Sequence, residues 1–246
     1  MGKPISEETA LVVILISLVF YSLMFSRDFA HIYSIMALAW LALYVFDKLI
    51  YDKRIKFPIE KSSAGRLESV FIALVAYAGF LVLTVLIMSM FAPDMLPNGA
   101  TLGQQFKAVI QMMGTWMLQA STPILAQSKI LMFLGWGILI PIVETTLFNL
   151  RIYEKVHDGL ASRGINISKF GLNMVLAVGF VAGIATIMHL SAKGLVTSAL
   201  IITLSFFSLS QALVIWRKHG REAVLFHNFA NSIAVSSIFA AASAIP

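Results

Sequence analysis

The chain has 246 residues, of which 59% are hydrophobic and 12% are charged, and its formal net charge is +6. Soluble domains carry about 25% charged residues, so this composition, with its long apolar runs, excludes an ordinary soluble domain and predicts a polytopic membrane protein. The absence of cysteine excludes disulfides, thiol catalysis and cysteine metal sites. The basic residues lie in loops between apolar runs, which favours a role in membrane orientation over nucleic acid as a partner.

Seven apolar runs of about 20 residues predict membrane-spanning helices. The first run lacks a small-residue cleavage site and is interpreted as a retained signal anchor. Residues 105–120 are shorter and amphipathic, which favours an interfacial or re-entrant helix over an eighth span. The predicted fold is therefore all-α, a membrane helix bundle of about seven transmembrane helices plus one amphipathic or re-entrant helix, in a single integral membrane domain over residues 1–246. The predicted spans are 9–26, 29–46, 69–91, 130–150, 170–190, 195–216 and 223–245.

Lysine and arginine residues in the loops orient this set of spans. Segment 47–68 carries six basic residues, and seven spans place eight further basic residues on the same side, against four on the opposite side. Because cytoplasmic loops are enriched in Lys and Arg, this distribution predicts a cytoplasmic N-terminus and an external C-terminus. An eighth span would remove most of the bias, which supports the count of seven.

Few ionisable side chains lie inside the predicted spans. Glu144, three residues after Pro141, is the one acid within an apolar run, whereas the other acids are assigned to loops or tails. His189 and His227 lie in two further runs, and Asn231 follows His227 by four residues, on the same helical face. An ionisable group at the centre of a bilayer costs about 2.5–3.5 kcal/mol on insertion scales. Such groups usually face a bundle interior or a wet cavity, so these four residues are expected to converge.

The four polar residues suit chemistry on a water molecule. A carboxylate can take a proton from water, a histidine can orient it, and a second histidine with an asparagine can donate hydrogen bonds to a developing oxyanion. Each residue alone also has a structural interpretation. Glu144 can pair with a basic residue near the cytoplasmic edge, His189 can be a hydrogen-bonded packing residue, and His227 with Asn231 can join helices. Only the combination favours a catalytic site.

Three motifs in these spans resemble those of the CPBP (Abi) family, which includes the CAAX prenyl proteases of type 2. The segment ETTLFN at 144–149 resembles the family motif EExxxR, ATIMH at 185–189 resembles FxxxH, and HNFAN at 227–231 matches HxxxN. The motifs occur in the family order on three separate spans, and the resemblance covers residues 130–235. It implies an all-helical membrane enzyme that hydrolyses a peptide bond in a membrane-anchored or prenylated protein or peptide.

The resemblance also implies a role for each matched residue. Glu144 would activate water, His189 would share that water, and His227 and Asn231 would stabilise the oxyanion. Two histidines and one glutamate equal the ligand count of an open catalytic zinc site, so Glu144, His189 and His227 are the candidate ligands of a divalent metal. No HExxH motif is present, and a metal-bound Glu144 would leave no other embedded carboxylate as base. A glutamate-dependent mechanism is therefore favoured over a metal-dependent one.

The chain departs from the family pattern at three positions. Thr145 stands in place of the second glutamate, Asn149 in place of the arginine and Ala185 in place of the phenylalanine. These departures keep open a non-catalytic protein of the same fold, with an immunity or scaffold role. A proton-coupled transporter is a third interpretation, but the sequence has neither the repeated halves nor the more polar spans typical of that class. The catalytic interpretation predicts His189 within about 11 Å, two helix turns, of Glu144.

Overall fold

The computed structural model describes residues 65–153, 162, 164, 178–179, 182–183, 185–186, 197–217 and 220–242. This part of the chain is helical with short connections and contains no β-strand, so the prediction of an all-α fold is confirmed for it. The predicted spans 9–26 and 29–46, and most of 170–190, lie outside the described residues. The division into a single domain over 1–246 stays a prediction.

Four of the described helices are long and apolar enough to cross a membrane, which is the composition of an integral membrane protein. They correspond to the predicted spans 69–91, 130–150, 195–216 and 223–245. Helix α1 is Arg66–Phe91, α2 is Leu102–Ala120, α3 is the short turn Pro123–Ala126, α4 comprises residues 129–152, α5 is Thr197–Arg217 and α6 is Arg221–Ala242.

The amphipathic segment forms α2, which begins three residues earlier than predicted. Its start is set by a capping box, in which the Thr101 hydroxyl accepts from the Gln104 N–H at 3.4 Å and Gln104 Oε1 accepts from the Thr101 N–H at 2.8 Å. This T-x-x-Q signature satisfies N–H groups that a helix start leaves unpaired. The helix is not among the four described helices apolar enough to span. Its placement at the interface or as a re-entrant helix stays a prediction.

Helix α4 is a composite of α and π segments around Glu144. It runs as α over Lys129–Met132, as π over Phe133–Leu139, as α over Ile140–Glu144 and again as π over Thr145–Ile152. The π form is rare and occurs mostly as single turns, often at functional sites. Pro141 lies at the start of the short α segment, where its missing N–H breaks the ladder of backbone bonds. Glu144 therefore lies at a junction between two helical registers.

Helix α6 occupies the centre of the described bundle and contacts α1, α2, α4 and α5. An aromatic cluster joins three of these helices, because Phe206 of α5 stacks on Phe226 of α6 at 4.9 Å between ring centroids. Phe80 of α1 meets both rings edge-on, at 5.7 and 6.0 Å. All three side chains are buried, so the cluster fixes the spacing of α1, α5 and α6 on one side of the site.

Glu144 is not the only buried acid among the described residues, because Glu222 is also fully buried in the first turn of α6. Ser69 of α1 donates a hydrogen bond to Glu222 Oε1 at 2.8 Å, and Arg217 Nε lies 3.4 Å from the same oxygen. Arg217 also pairs with the exposed Glu68 at 3.1 Å. The predicted span began at residue 223 and so assigned this acid to a loop. The pairing with Arg217 and Ser69 supplies the partners that a buried carboxylate requires.

Candidate active site

The structure brings Glu144 of α4 and His227 of α6 together inside the bundle. Glu144 Oε2 lies 3.6 Å from His227 Nε2, and the two residues are 3% and 2% exposed. At 3.6 Å the two atoms are slightly too far apart for a direct hydrogen bond, and a single water oxygen can contact both. Two residues 83 positions apart in sequence thus form one acid–base pair shielded from the surface.

The His227 ring also contacts a hydroxyl at its other nitrogen and two phenylalanine rings. Thr145 Oγ1 lies 3.2 Å from His227 Nδ1, within hydrogen-bond distance. Phe206 meets the ring edge-on at 4.6 Å between centroids, and Phe207 does so at 6.4 Å. Because Glu144 and Thr145 are consecutive residues, one turn of α4 contacts both nitrogens of the imidazole.

Asn231 lies one turn after His227 and connects α6 to the irregular part of α4. Its Nδ2 donates to the carbonyl of Trp136 at 2.9 Å. In the preceding π segment the Ile140 N–H bonds the Gly135 carbonyl, so the next donor in that register would be residue 141. Residue 141 is a proline without N–H, and the Asn231 amide supplies a donor to the carbonyl that Pro141 cannot serve. This contact agrees with the structural alternative for Asn231, which was to join two helices, and it gives the acceptor as the Trp136 carbonyl.

Asn149, at the position of the family's arginine, belongs to a second buried polar cluster. Its Oδ1 accepts from Ser210 Oγ at 3.1 Å, and its Nδ2 donates to Gln211 Oε1 at 3.2 Å. All three side chains are fully buried, and none of them is charged. A buried arginine would require a carboxylate partner, whereas an asparagine is satisfied by these neutral groups. Ser210 and Gln211 were not among the predicted site residues, because both are uncharged and lie outside the three motifs.

Three of the four predicted catalytic residues therefore lie in one region of the bundle: Glu144 and His227 in contact, with Asn231 one turn further along α6. His189 lies outside the described residues, so its predicted distance from Glu144 stays a prediction. Thr145 also belongs to the site, although in the sequence it was noted only as a difference from the family-like motif. Its position directly after Glu144, on the same helical turn, was the feature that could have indicated this.

The two described members of the candidate metal set have a spacing that suits zinc. Zinc binds carboxylate oxygen and imidazole nitrogen at about 2.0–2.2 Å, so two ligands of a tetrahedral ion lie about 3.3–3.6 Å apart. The observed 3.6 Å between Glu144 Oε2 and His227 Nε2 fits that separation. Within the described residues no group of three potential ligands occurs, and the third candidate, His189, is not among them.

The comparisons with known proteins give no relative for this chain: no family model matches it, and neither a curated protein nor a solved structure matches it significantly.

Proposed function

We propose that the protein is a CPBP-like intramembrane endopeptidase that hydrolyses a peptide bond in a membrane-anchored or lipidated protein or peptide. The observation that carries the proposal is the buried pair of Glu144 and His227, with 3.6 Å between Oε2 and Nε2. An embedded carboxylate beside an imidazole is costly, and such groups usually mark a functional site. The order of the three family-like motifs along the chain supports the same assignment.

In the proposed reaction Glu144 takes a proton from a water molecule whose oxygen attacks the carbonyl carbon of the scissile bond. His227 Nε2 lies 3.6 Å from Glu144 Oε2, and in this proposal it donates to the developing oxyanion. One N–H of Asn231 is bonded to Trp136, and its amide carries a second N–H that can donate to the oxyanion. The proton held by Glu144 then passes to the leaving amine, which releases two peptide products and restores the carboxylate. His189 shares the water in this proposal.

The finer topology belongs to the same proposal. Seven transmembrane helices with a cytoplasmic N-terminus and an external C-terminus place Glu144 near the cytoplasmic end of its span. The substrate then reaches the site from the bilayer or its cytoplasmic face. The apolar surfaces of α1 and α4, which expose many large side chains, support contact with lipid.

The decisive experiment is cleavage of a panel of membrane-anchored peptides by purified protein in nanodiscs. Glu144→Gln keeps the size of the side chain and removes the base, and we expect a fall in kcat of at least about 100-fold. Glu68→Gln is the matched control, because Glu68 is 51% exposed and pairs with Arg217. Equal cleavage by wild type and Glu144→Gln would refute the protease assignment.

Chelation separates the two mechanisms. If a zinc ion is bound when the protein is active, Glu144, His227 and the proposed His189 would hold it, and it would supply a bound water of lowered pKa. A glutamate-dependent enzyme instead keeps its activity after dialysis against a strong chelator. We expect activity to persist, and its loss on chelation with recovery in zinc would establish the metal-dependent mechanism.

A non-catalytic membrane protein of the same fold is the second candidate. The neutral cluster of Asn149, Ser210 and Gln211 favours it, because an asparagine hydrogen-bonded to two uncharged side chains stands where the family-like motif has an arginine. This candidate predicts that no peptide is cleaved and that Glu144→Gln keeps the cellular phenotype of the wild type.

A further inference from the structure

We propose that Thr145 is a positioning residue that holds the His227 imidazole with Nε2 toward Glu144; this role rests on the proposed function. The hydroxyl of Thr145 lies 3.2 Å from Nδ1, and the Thr145 residue is fully buried. Nothing in the motif resemblance assigns a role to this side chain, which stands where the family carries a glutamate.

The apolar packing around the ring leaves the choice between its two orientations to polar contacts, of which the Thr145 hydroxyl is one. Phe206 and Phe207 both meet the imidazole at steep angles, 73° and 86° between ring planes. These apolar contacts restrict the ring but do not distinguish nitrogen from carbon. A half-turn of the ring would exchange Nδ1 with a C–H group and would turn Nε2 away from Glu144. The hydrogen bond from Thr145 stabilises one of the two orientations, because a C–H group cannot replace Nδ1 in it.

A hydroxyl can satisfy Nδ1 of an imidazole in either ring tautomer. Thr145 can donate to Nδ1 when that nitrogen is bare and can accept when it carries hydrogen. A carboxylate at this position could only accept, and a valine could do neither. Thr145 therefore keeps its contact with His227 whichever ring nitrogen carries the hydrogen. Threonine makes this contact without adding a second charge beside the buried Glu144.

The test compares three variants of the full chain in nanodiscs. Thr145→Val is nearly isosteric and removes the hydroxyl, whereas Thr145→Ser retains it. Thr203→Val is the matched control, since Thr203 is buried in α5 and its hydroxyl has no hydrogen-bond partner among the described atoms. Thr145→Ala repeats the deletion without the added methyl group if the valine variant does not fold.

Two readouts distinguish positioning from a general loss of structure. The first is the 15N NMR signal of Nδ1 in histidine-labelled protein, assigned to His227 by its absence in His227→Gln. The second is the split between kcat and KM for peptide cleavage. We expect Thr145→Val to lose the hydrogen-bonded Nδ1 signal and to lower kcat by roughly 5- to 150-fold with KM changed less than about twofold. Thr145→Ser and Thr203→Val should match the wild type in both readouts.

An unchanged Nδ1 signal in Thr145→Val would overturn the proposal, and so would an altered signal with unchanged kcat. Failure of the wild type to cleave any peptide refutes the proposed function instead. The NMR comparison then still decides whether Thr145 orients His227, because it does not depend on activity.

Discussion

Gly114 of α2 lies close to the central helix α6. A Cβ atom at this position would lie 2.5 Å from the backbone oxygen of Ala234 and 2.7 Å from Cγ1 of Ile238. Ordinary contacts begin near 3.4 Å, so Gly114→Ala requires the two helices to move apart by about 0.9 Å. Overpacking of this kind costs about 1–3 kcal/mol, because a backbone atom cannot rotate away.

Gly79 of α1 provides the matched control for the same chemical change. No described atom lies within 4 Å of the Cβ that would be added there, so Gly79→Ala retains only the helix gain of about 0.5–1 kcal/mol. The difference in stability between Gly114→Ala and Gly79→Ala cancels the helix gain, which both variants share, and leaves the cost of the steric clash. We expect Gly114→Ala to melt roughly 2–12 °C below Gly79→Ala in detergent, by the fluorescence of the four tryptophans. Equal melting temperatures would refute the packing of α2 on α6 at this crossing.

Two further predictions concern the buried polar contacts. Asn231→Ala should lower the free energy of unfolding of the wild type by about 1–3 kcal/mol. In a Pro141→Ala background, where residue 141 regains an N–H, the same change should cost about 1 kcal/mol less. Additive effects of the two changes in chemical unfolding would contradict the idea that both residues serve the Trp136 carbonyl. Glu222→Gln should lower the free energy of unfolding by about 1.5–3 kcal/mol, because it removes the buried charge beside Arg217. The same change at Glu68, which is 51% exposed, should cost less than about 1 kcal/mol, and equal losses at both positions would argue against burial as the cause.

Much of the described fold follows from local properties of the sequence. Apolar runs long enough to cross a bilayer predicted the four described membrane-length helices, with boundaries within four residues of those observed. This succeeds because a chain in lipid must satisfy every backbone group internally, so length and hydropathy suffice to indicate a helix. The start of α2 was misplaced because a capping box, a polar signal, sets it rather than the apolar pattern.

The candidate site was predictable as a set of residues but not as a set of contacts. Glu144, His227 and Asn231 were singled out because polar groups in apolar runs are rare and costly. The residues that contact them were not predicted, because a contact such as that of Thr145 with His227 depends on how α4 and α6 pack. The π segments around Pro141 likewise appear only in the folded helix, where Asn231 donates to the carbonyl of Trp136.

The sequence by itself was enough to predict the helices of the described residues, four of them apolar enough to cross a membrane, and the polar residues that lie in the apolar runs. The tertiary structure decided which of those residues meet: Glu144 with His227, Asn149 with Gln211, and Glu222 with Arg217. It also showed that Glu222, assigned to a loop by its place in the sequence, is fully buried. The physical reason is that hydropathy is a local sum over neighbours in the chain, whereas burial and pairing depend on the faces that distant helices present to one another.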